Sequence, residues 1–218
     1  MDRRLRIDAW FDLVCPWCWI GSRHLAAALG RLAAEAPGVQ VEVAWHPVRL
    51  IPGVPPEGWP YAAFYERRLG GPEAVKARQA QVQAAAARAG LAIRFDRMTV
   101  FPDTAAAHRL LTVAAGQLQA RALDALREAL FETYFVHGGH LGDADTLAAV
   151  ARAHGVDLAR APLPEALPAA SDAAPVSGVP YFIFDHRFAL SGAQPPEHLL
   201  AAMQACLREP EPAAPSMP

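Results

Sequence analysis

A strand that leads directly into two closely spaced cysteines constrains this chain more than any other feature. Apolar residues alternate with polar ones between positions 5 and 13, the period of a strand with one buried face. A Cys-Pro-Trp-Cys motif occupies positions 15–18, and apolar residues between 25 and 36 then recur at helical spacing. Pro37-Gly38 end that helix. The sequence therefore predicts that both cysteines lie where a strand ends and a helix begins.

Both ends of the chain show further regular patterns. Apolar alternation from Val39 to Trp45 predicts a second strand, which gives a strand, helix, strand unit with a right-handed crossover. Near the other end, 181–184 and 188–190 are short β-type runs. Asp185-His186 between them indicates a tight turn, since both residue types tolerate positive φ. Pro195-Pro196 then open an amphipathic helix, so this end is strand, strand, helix.

The long central segment is alanine-rich and helical in pattern. We expect several helices between Pro52 and Pro168, with only a weak strand near Ile93 and Phe95. The stretch 161–175 contains several prolines and is predicted to be loop, and the tail 210–218 is predicted to be disordered.

These patterns together predict an α/β protein with a thioredoxin fold and an inserted all-helical domain. Residues 1–52 form its first half and 171–209 its second half, with the helical insertion at 53–170. In that fold, a CxxC motif at the first strand–helix junction is the redox centre.

Composition and charge exclude some classes of function. With 218 residues, 53% of them apolar, the chain can bury a sizeable core. A net charge of −2 without a basic block argues against nucleic acid as a partner. No apolar run approaches the roughly 20 residues that span a bilayer, and the N-terminal segment does not match a signal peptide. We therefore expect a cytoplasmic protein whose three cysteines form no secretory disulfide framework.

The position of the cysteine pair suggests its chemistry. Cys15 falls at the helix N-cap, and Pro16 suits the first helical position because its missing N–H is not needed there. Free amides and the helix dipole stabilise a thiolate at that point, so Cys15 is the predicted nucleophile and Cys18 the resolving thiol. Trp17 carries no cation, which predicts a milder oxidant than a Pro-His spacer would give.

A proline loop supports this interpretation. Ser177-Gly178-Val179-Pro180 precedes the strand at 181–184, where a proline is tolerated only at the strand start. In thioredoxin folds this is the cis-proline loop beside the CxxC pair, and the backbone of Val179 next to Pro180 would bind an extended substrate. A plain trans turn before a strand is the alternative interpretation.

The chain resembles the DsbA-like thioredoxin superfamily, and within it the cytosolic FrnE-type oxidoreductases. The matching segments are DLVCPWCWIG at 12–21, VEVAWHPVRLIP at 41–52, DTAAAHRL at 103–110, LFETYF at 130–135, SGVPYFIF at 177–184 and ALSGAQPPE at 189–197. The resemblance implies a DsbA fold and thiol–disulfide exchange with thiol- or disulfide-containing proteins or small molecules. It implies no bound cofactor, with glutathione as a candidate co-substrate.

Two positions depart from the family pattern. Asp103 stands where the family usually has asparagine, and a carboxylate cannot donate the amide hydrogen bond. The segment before the Gly-Val-Pro sequence is short and interrupted by prolines, where the family usually has a longer helix.

Two other functions compete with disulfide exchange. The superfamily also contains glutathione-dependent relatives, the kappa-class transferases and 2-hydroxychromene-2-carboxylate isomerases, which typically carry serine where this chain has Cys15. The third candidate is a non-catalytic, chaperone-like module whose CxxC is a relic or a zinc clip. Zinc would need two more ligands, and no second CxxC and no CxxH exists, so we expect no metal.

Several other conspicuous residues have structural explanations. Cys206 lies on an apolar helix face, where a buried thiol is expected, and His137 and His140 flank a glycine loop. His108 has a structural role or contacts an anionic substrate. One aromatic group either packs a helical hairpin, the favoured interpretation, or lines a substrate groove; its members are Trp59, Tyr61, Phe64 and Tyr65.

Overall fold

The computed structural model describes residues 3–159 and 178–208. Its first elements are β1 (Arg3–Phe11), α1 (Pro16–Glu35) and β2 (Val39–Pro47), as the alternating and helical patterns predict. β1 and β2 pair in parallel along their whole length. Pro16 occupies the first turn of α1, so both cysteines lie at the start of this helix.

In the described residues 48–159, the segment after the first half of the fold is mostly helical and contains one short ladder. In chain order its elements are β3 (Trp59–Pro60), α2 (Tyr61–Leu69), α3 (Pro72–Arg88), β4 (Val100–Phe101), α4 (Ala105–Ala115), α5 (Ala120–Phe135) and α6 (Ala144–Ala153). β3 and β4 pair with each other antiparallel. The side chain of Asp143 accepts a hydrogen bond from the Thr146 amide and so caps α6.

The predicted weak strand near Ile93 and Phe95 is wrong. Phe95–Arg97 form a single 3-10 turn, and the extended residues come later, in β4. Ile93 is buried and Phe95 is half-buried, but among residues 3–159 and 178–208 no strand lies beside them to supply hydrogen bonds. The proline-rich stretch 161–175 and the tail 210–218 lie outside the described residues.

The last elements are β5 (Tyr181–Phe184), β6 (Phe188–Ser191) and α7 (Pro196–Arg208). Asp185 and His186 in the connecting turn both have positive φ, at 47° and 57°, which confirms the predicted tight turn. The four-stranded sheet has the order β2-β1-β5-β6, and β5 runs antiparallel to both neighbours.

One hydrophobic core lies between this sheet and two helices. α1 and α7 pack against each other on the sheet face that carries the apolar residues of β1. The buried members are Leu5, Ile7, Ala9, Leu25, Ala28, Leu32, Phe182, Phe184, Leu199, Leu200, Met203 and Cys206. Cys206 is therefore a core thiol, as expected from its helix face.

A second core joins the cysteine end of α1 to the insertion. The Trp19 ring stacks on Phe131 and Phe135 of α5, with centroids 6.0 and 5.6 Å away. Its indole N–H donates a 2.8 Å hydrogen bond to Glu128, which also forms an ion pair with Arg23. Burial of one such aromatic side chain contributes about 1.5–3 kcal/mol. The start of α1 is thus attached to the insertion by apolar and polar contacts.

Within residues 3–159 and 178–208, no helix combines the length and the hydrophobicity that a membrane span requires.

Candidate active site

Cys15 is the residue that precedes the first turn of α1. Its backbone is extended, with φ −94° and ψ 110°, and its carbonyl accepts hydrogen bonds from the amides of Cys18 and Trp19 at 3.0 and 3.4 Å. The first turn of α1 contains no acidic residue. A negative charge on the Cys15 sulfur would therefore meet the positive end of the helix dipole without a competing carboxylate on that turn.

Cys18 lies one turn further along α1 and is 1% exposed, against 5% for Cys15. Burial raises the pKa of the Cys18 thiol well above its ordinary value, and the adjacent Cys15 raises it further. Cys18 is therefore a protonated thiol at neutral pH. Cys15 and Cys18 form no disulfide with each other in this structure.

The proline loop lies against Cys15. The peptide bond between Val179 and Pro180 is cis, and the Cys15 thiol donates a 3.7 Å hydrogen bond to the Val179 carbonyl. The Pro180 carbonyl in turn accepts from the Gly192 amide at 2.8 Å. The fold thus brings together Cys15 and the two residues of this loop that the sequence analysis singled out.

Gly21 of α1 packs against Pro180 of the same loop. A Cβ atom on Gly21 would lie 3.0 Å from Cγ of Pro180, closer than side chains normally approach. Any larger residue at position 21 would therefore require the Pro180 ring to shift.

We expect Gly21→Ala to disturb the loop, with Gly30→Ala as the matched control in the same helix. A Cβ on Gly30 meets nothing within 4 Å. Gly30→Ala should raise the free energy of unfolding by about 0.5–1 kcal/mol through helix propensity. Gly21→Ala should gain at least about 1 kcal/mol less, because the proline ring must shift. Urea unfolding measures both values, and equal gains would contradict the close contact.

A buried carboxylate, Asp12, lies just before the cysteines. It is 1% exposed; its Oδ2 accepts a 2.7 Å hydrogen bond from the Leu50 amide, and its Oδ1 lies 3.1 Å from Nε2 of His108. The Asp12 carbonyl also accepts from the Cys15 amide at 3.1 Å. His108 belongs to α4 and is fully buried, so it has a structural contact rather than an exposed position for an anionic substrate.

Asp12 was not predicted from the sequence to be a buried carboxylate paired with His108. A charged residue placed among Phe11, Leu13 and Val14 was the available signal, because buried carboxylates are rare unless paired. Asp103, the departure from the family pattern, lies 3.4 Å from Nη1 of Arg49 and accepts from the Ala105 amide at the start of α4.

An apolar cavity of about 190 Å³ opens beside Cys15. Pro16 and Trp17 form part of its wall with Cys15, and both are half-buried. The opposite walls come from α2, α3 and nearby loops; the lining residues there include Tyr61, Phe64, Tyr65, Arg68, Arg78 and Phe101. Most of the predicted aromatic group therefore lines a cavity as well as packing the helices, whereas Trp59 stacks on Phe64 and Phe101.

No cluster of three or more histidine, cysteine, aspartate or glutamate side chains suited to a metal ion occurs among the described residues. In that part of the chain, His137 and His140 belong to a turn in which Gly138 has a φ of 71°.

The sheet order, the cysteine pair at the start of α1 and the cis-proline loop define a thioredoxin-fold protein of the DsbA kind. The chain belongs to the DSBA-like thioredoxin domain family, whose sequence profile matches residues 6–204. No curated protein sequence gives a significant match.

Solved structures show the same fold. A probable DsbA oxidoreductase from Streptomyces coelicolor is 28% identical, with a TM-score of 0.80 over 96% of this chain and 93% of that one. A 2-hydroxychromene-2-carboxylate isomerase is 17% identical, with a TM-score of 0.58 over 93% of this chain and 96% of that one. The cytosolic disulfide reductase DsbM from Pseudomonas aeruginosa, solved with glutathione, is 18% identical, with a TM-score of 0.56 over 94% of this chain and all of the other.

Proposed function

We propose that this protein is a thiol–disulfide oxidoreductase of the FrnE type, with Cys15 as nucleophile and Cys18 as resolving thiol. The observation that carries the proposal is the position of Cys15. Its sulfur lies at the N-terminus of α1, lines a cavity and contacts the Val179 carbonyl, while Cys18 is buried one turn behind it. This asymmetry gives the two sulfurs different roles.

The reaction proceeds in two exchanges. The Cys15 thiolate attacks one sulfur of a substrate disulfide, which forms a mixed disulfide and releases the other substrate sulfur as a thiolate. Cys18 then attacks the Cys15 sulfur, which forms the Cys15–Cys18 disulfide, and the second substrate sulfur leaves and takes up the Cys18 proton. The substrate gains two electrons and the protein dithiol loses them. The reverse sequence oxidises a substrate dithiol.

The raised pKa of Cys18 orders these steps. A protonated Cys18 does not compete with Cys15 for the incoming disulfide, because the thiolate is the nucleophile. Pro16 and Trp17 bind substrate from the helix side, and Val179 and Pro180 bind it from the loop side. An extended substrate segment would add to the loop backbone as a strand does.

The proposed co-substrate, compartment and domain division follow from the family resemblance and from the similar solved structures. Exchange needs no bound cofactor, and glutathione serves as co-substrate in a cytoplasmic setting. In this proposal the redox fold comprises residues 1–52 and 171–209 and the insertion 53–170, with α2 and α3 of the insertion in the wall of the cavity. The probable oxidoreductase from Streptomyces coelicolor supports this proposal through similarity over nearly the whole chain.

A glutathione-dependent isomerase or transferase is the second candidate. The aromatic cavity beside Cys15 favours it, since such a cavity accepts a planar substrate. The two cysteines favour disulfide exchange, because an isomerase of that type has no need of a resolving thiol.

Insulin reduction in the presence of dithiothreitol tests the first candidate against the second. We expect the protein to accelerate precipitation of the insulin B chain and to become oxidised at the Cys15–Cys18 pair in a glutathione redox buffer, as mass spectrometry of alkylated samples reports. Failure in both assays, together with glutathione-dependent turnover of a hydroxychromene carboxylate, would establish the second candidate instead.

A further inference from the structure

We propose that the cavity beside Cys15 binds a small thiol or disulfide that carries one aromatic ring and an anionic group. This inference names the substrate class of the proposed exchange reaction and rests on that proposed function. Its basis is the size of the cavity, its aromatic walls, the arginines at its rim and the sulfur in its wall.

The cavity has room for one ring. Its volume is about 190 Å³. A protein cavity of about 150 Å³ lined by apolar side chains binds benzene, so this one holds a single aromatic ring with a few further atoms. Several side chains of an unfolded polypeptide would need far more space than this.

Aromatic side chains form much of the wall. Phe64 stacks on Phe101 with ring centroids 4.1 Å apart, and the rings of Tyr61 and Tyr65 are 4.7 Å apart. A ligand ring inserted here would meet further rings, and such pairs contribute about 0.5–1.5 kcal/mol beyond the area that they bury.

Arg68 of α2 and Arg78 of α3 supply the charge. They are the charged side chains of the lining, and in the described part of the chain no carboxylate lines this cavity. Arg78 donates one hydrogen bond to Gln81, at 3.0 Å from Nη1. Guanidinium groups bind carboxylates through paired hydrogen bonds, so the rim is complementary to an anion.

The helix dipole alone does not explain Arg68. Arg67 and Arg68 both lie in the last turn of α2, where a cation is favourable, yet only Arg68 lines the cavity. Arg67 is therefore a matched control with the same charge on the same turn.

The phenols inside the cavity do not oppose an anion. Burial raises the pKa of Tyr61 to about 12, and a hydrogen bond with Gln79 counteracts this only in part. Burial raises the pKa of Tyr65 as well, and the proximity of Tyr61 and Cys15 raises it further. Both phenols are neutral at physiological pH and can donate hydrogen bonds to a ligand.

Cys15 in the wall fixes where the reacting sulfur lies. A ligand whose ring fills the cavity presents its sulfur to Cys15, and the two exchanges described above oxidise the protein dithiol while releasing one aromatic thiolate and one aromatic thiol. The co-reactant of this single turnover is the disulfide itself.

Stopped-flow oxidation of the reduced full-length protein tests the inference with three disulfides. Dithiobis(nitrobenzoate) is aromatic and anionic, dithiodipyridine is aromatic and neutral, and hydroxyethyl disulfide is aliphatic and neutral. Each rate constant is divided by that of N-acetylcysteine with the same reagent at the same thiolate concentration, which removes intrinsic reactivity. We expect the normalised rate constant to be largest for dithiobis(nitrobenzoate).

Variants assign that preference to the cavity. Arg68→Gln and Arg78→Gln should each lower the normalised rate for dithiobis(nitrobenzoate) by about threefold to tenfold, as expected for partly solvated ion pairs, and leave dithiodipyridine unchanged. Arg67→Gln should leave both unchanged. Val75 lines the cavity, so Val75→Trp should fill part of it, slow the reactions with both aromatic reagents and leave hydroxyethyl disulfide unchanged. Ala74 is the exposed neighbouring residue, and Ala74→Trp should slow none of the three reactions.

Three results would overturn the inference. The first is that the normalised rate constants are equal for the three reagents. The second is that Arg67→Gln and Arg68→Gln lower the normalised rate for dithiobis(nitrobenzoate) equally, which would indicate only the general electrostatic field of the protein. The third is a preference for a disulfide-linked peptide with phenylalanine beside its cysteine, unaffected by the arginine variants. None of these results would contradict the proposed disulfide exchange. That proposal fails separately, if the reduced protein reacts with no disulfide at all.

Discussion

Cys15→Ser is expected to abolish disulfide exchange, with a loss of at least about two orders of magnitude in the rate of insulin reduction. A serine hydroxyl does not ionise at neutral pH, and Cys18 cannot replace the lost nucleophile because it is buried and its pKa is raised. The measurement is insulin reduction under dithiothreitol, with the unfolding transition recorded to show that the variant is folded.

Cys18→Ser should behave differently from Cys15→Ser. It retains the attacking thiol but lacks the resolving one, so the mixed disulfide between Cys15 and its partner should accumulate. Mass spectrometry of protein purified under non-reducing conditions would identify that partner. Cys206→Ala is the matched control, since Cys206 is a buried thiol in the other core and should leave exchange intact. Full activity of Cys15→Ser would remove the basis of the proposed mechanism.

Asp12→Ala should cause the largest loss of stability among single carboxylate replacements. The Leu50 amide and the His108 ring would both remain buried without their carboxylate partner. Each unpaired buried group costs about 1–3 kcal/mol, so the loss of the partner of both groups should lower the free energy of unfolding by about 2–6 kcal/mol. Urea unfolding of the reduced protein measures this value.

Asp96→Ala is the control for this comparison. Asp96 forms an exposed ion pair with Arg94 at 2.8 Å, and such pairs contribute about 0–1 kcal/mol. Asp12→Asn keeps an acceptor oxygen and should lose less than Asp12→Ala, which keeps the test informative if the alanine variant does not fold. A loss below about 1 kcal/mol for Asp12→Ala would contradict the structural role assigned to the carboxylate.

The sequence predicts local features of this fold well, for physical reasons. The alternation in β1, the Pro16 start of α1 and the positive φ at Asp185 and His186 depend on neighbouring residues alone. The position of the proline loop beside Cys15 was predictable because the two units indicate a thioredoxin fold, and that fold places a cis-proline loop beside its CxxC pair.

Features that depend on distant residues were not predictable in the same way. Asp12 and His108 are 96 positions apart, and nothing local marks them as partners. The cavity forms only when α2 and α3 lie against the cysteine end of α1, so the sequence left open whether the aromatic residues of α2 line a groove or only pack the helices. Ile93 and Phe95 alternate as strand residues do, but within the described part of the chain no strand lies beside them to provide a ladder.

The attachment of Trp19 to Glu128 has a mechanical consequence. Together with the bond from Asp12 to His108, it holds the redox helix to the insertion on both sides of Cys18. The start of α1 is therefore held to α4 and α5 of the insertion before any ligand arrives. A substitution far along the chain, such as Glu128→Ala in α5, would consequently alter how quickly Cys15 reacts without touching any substrate.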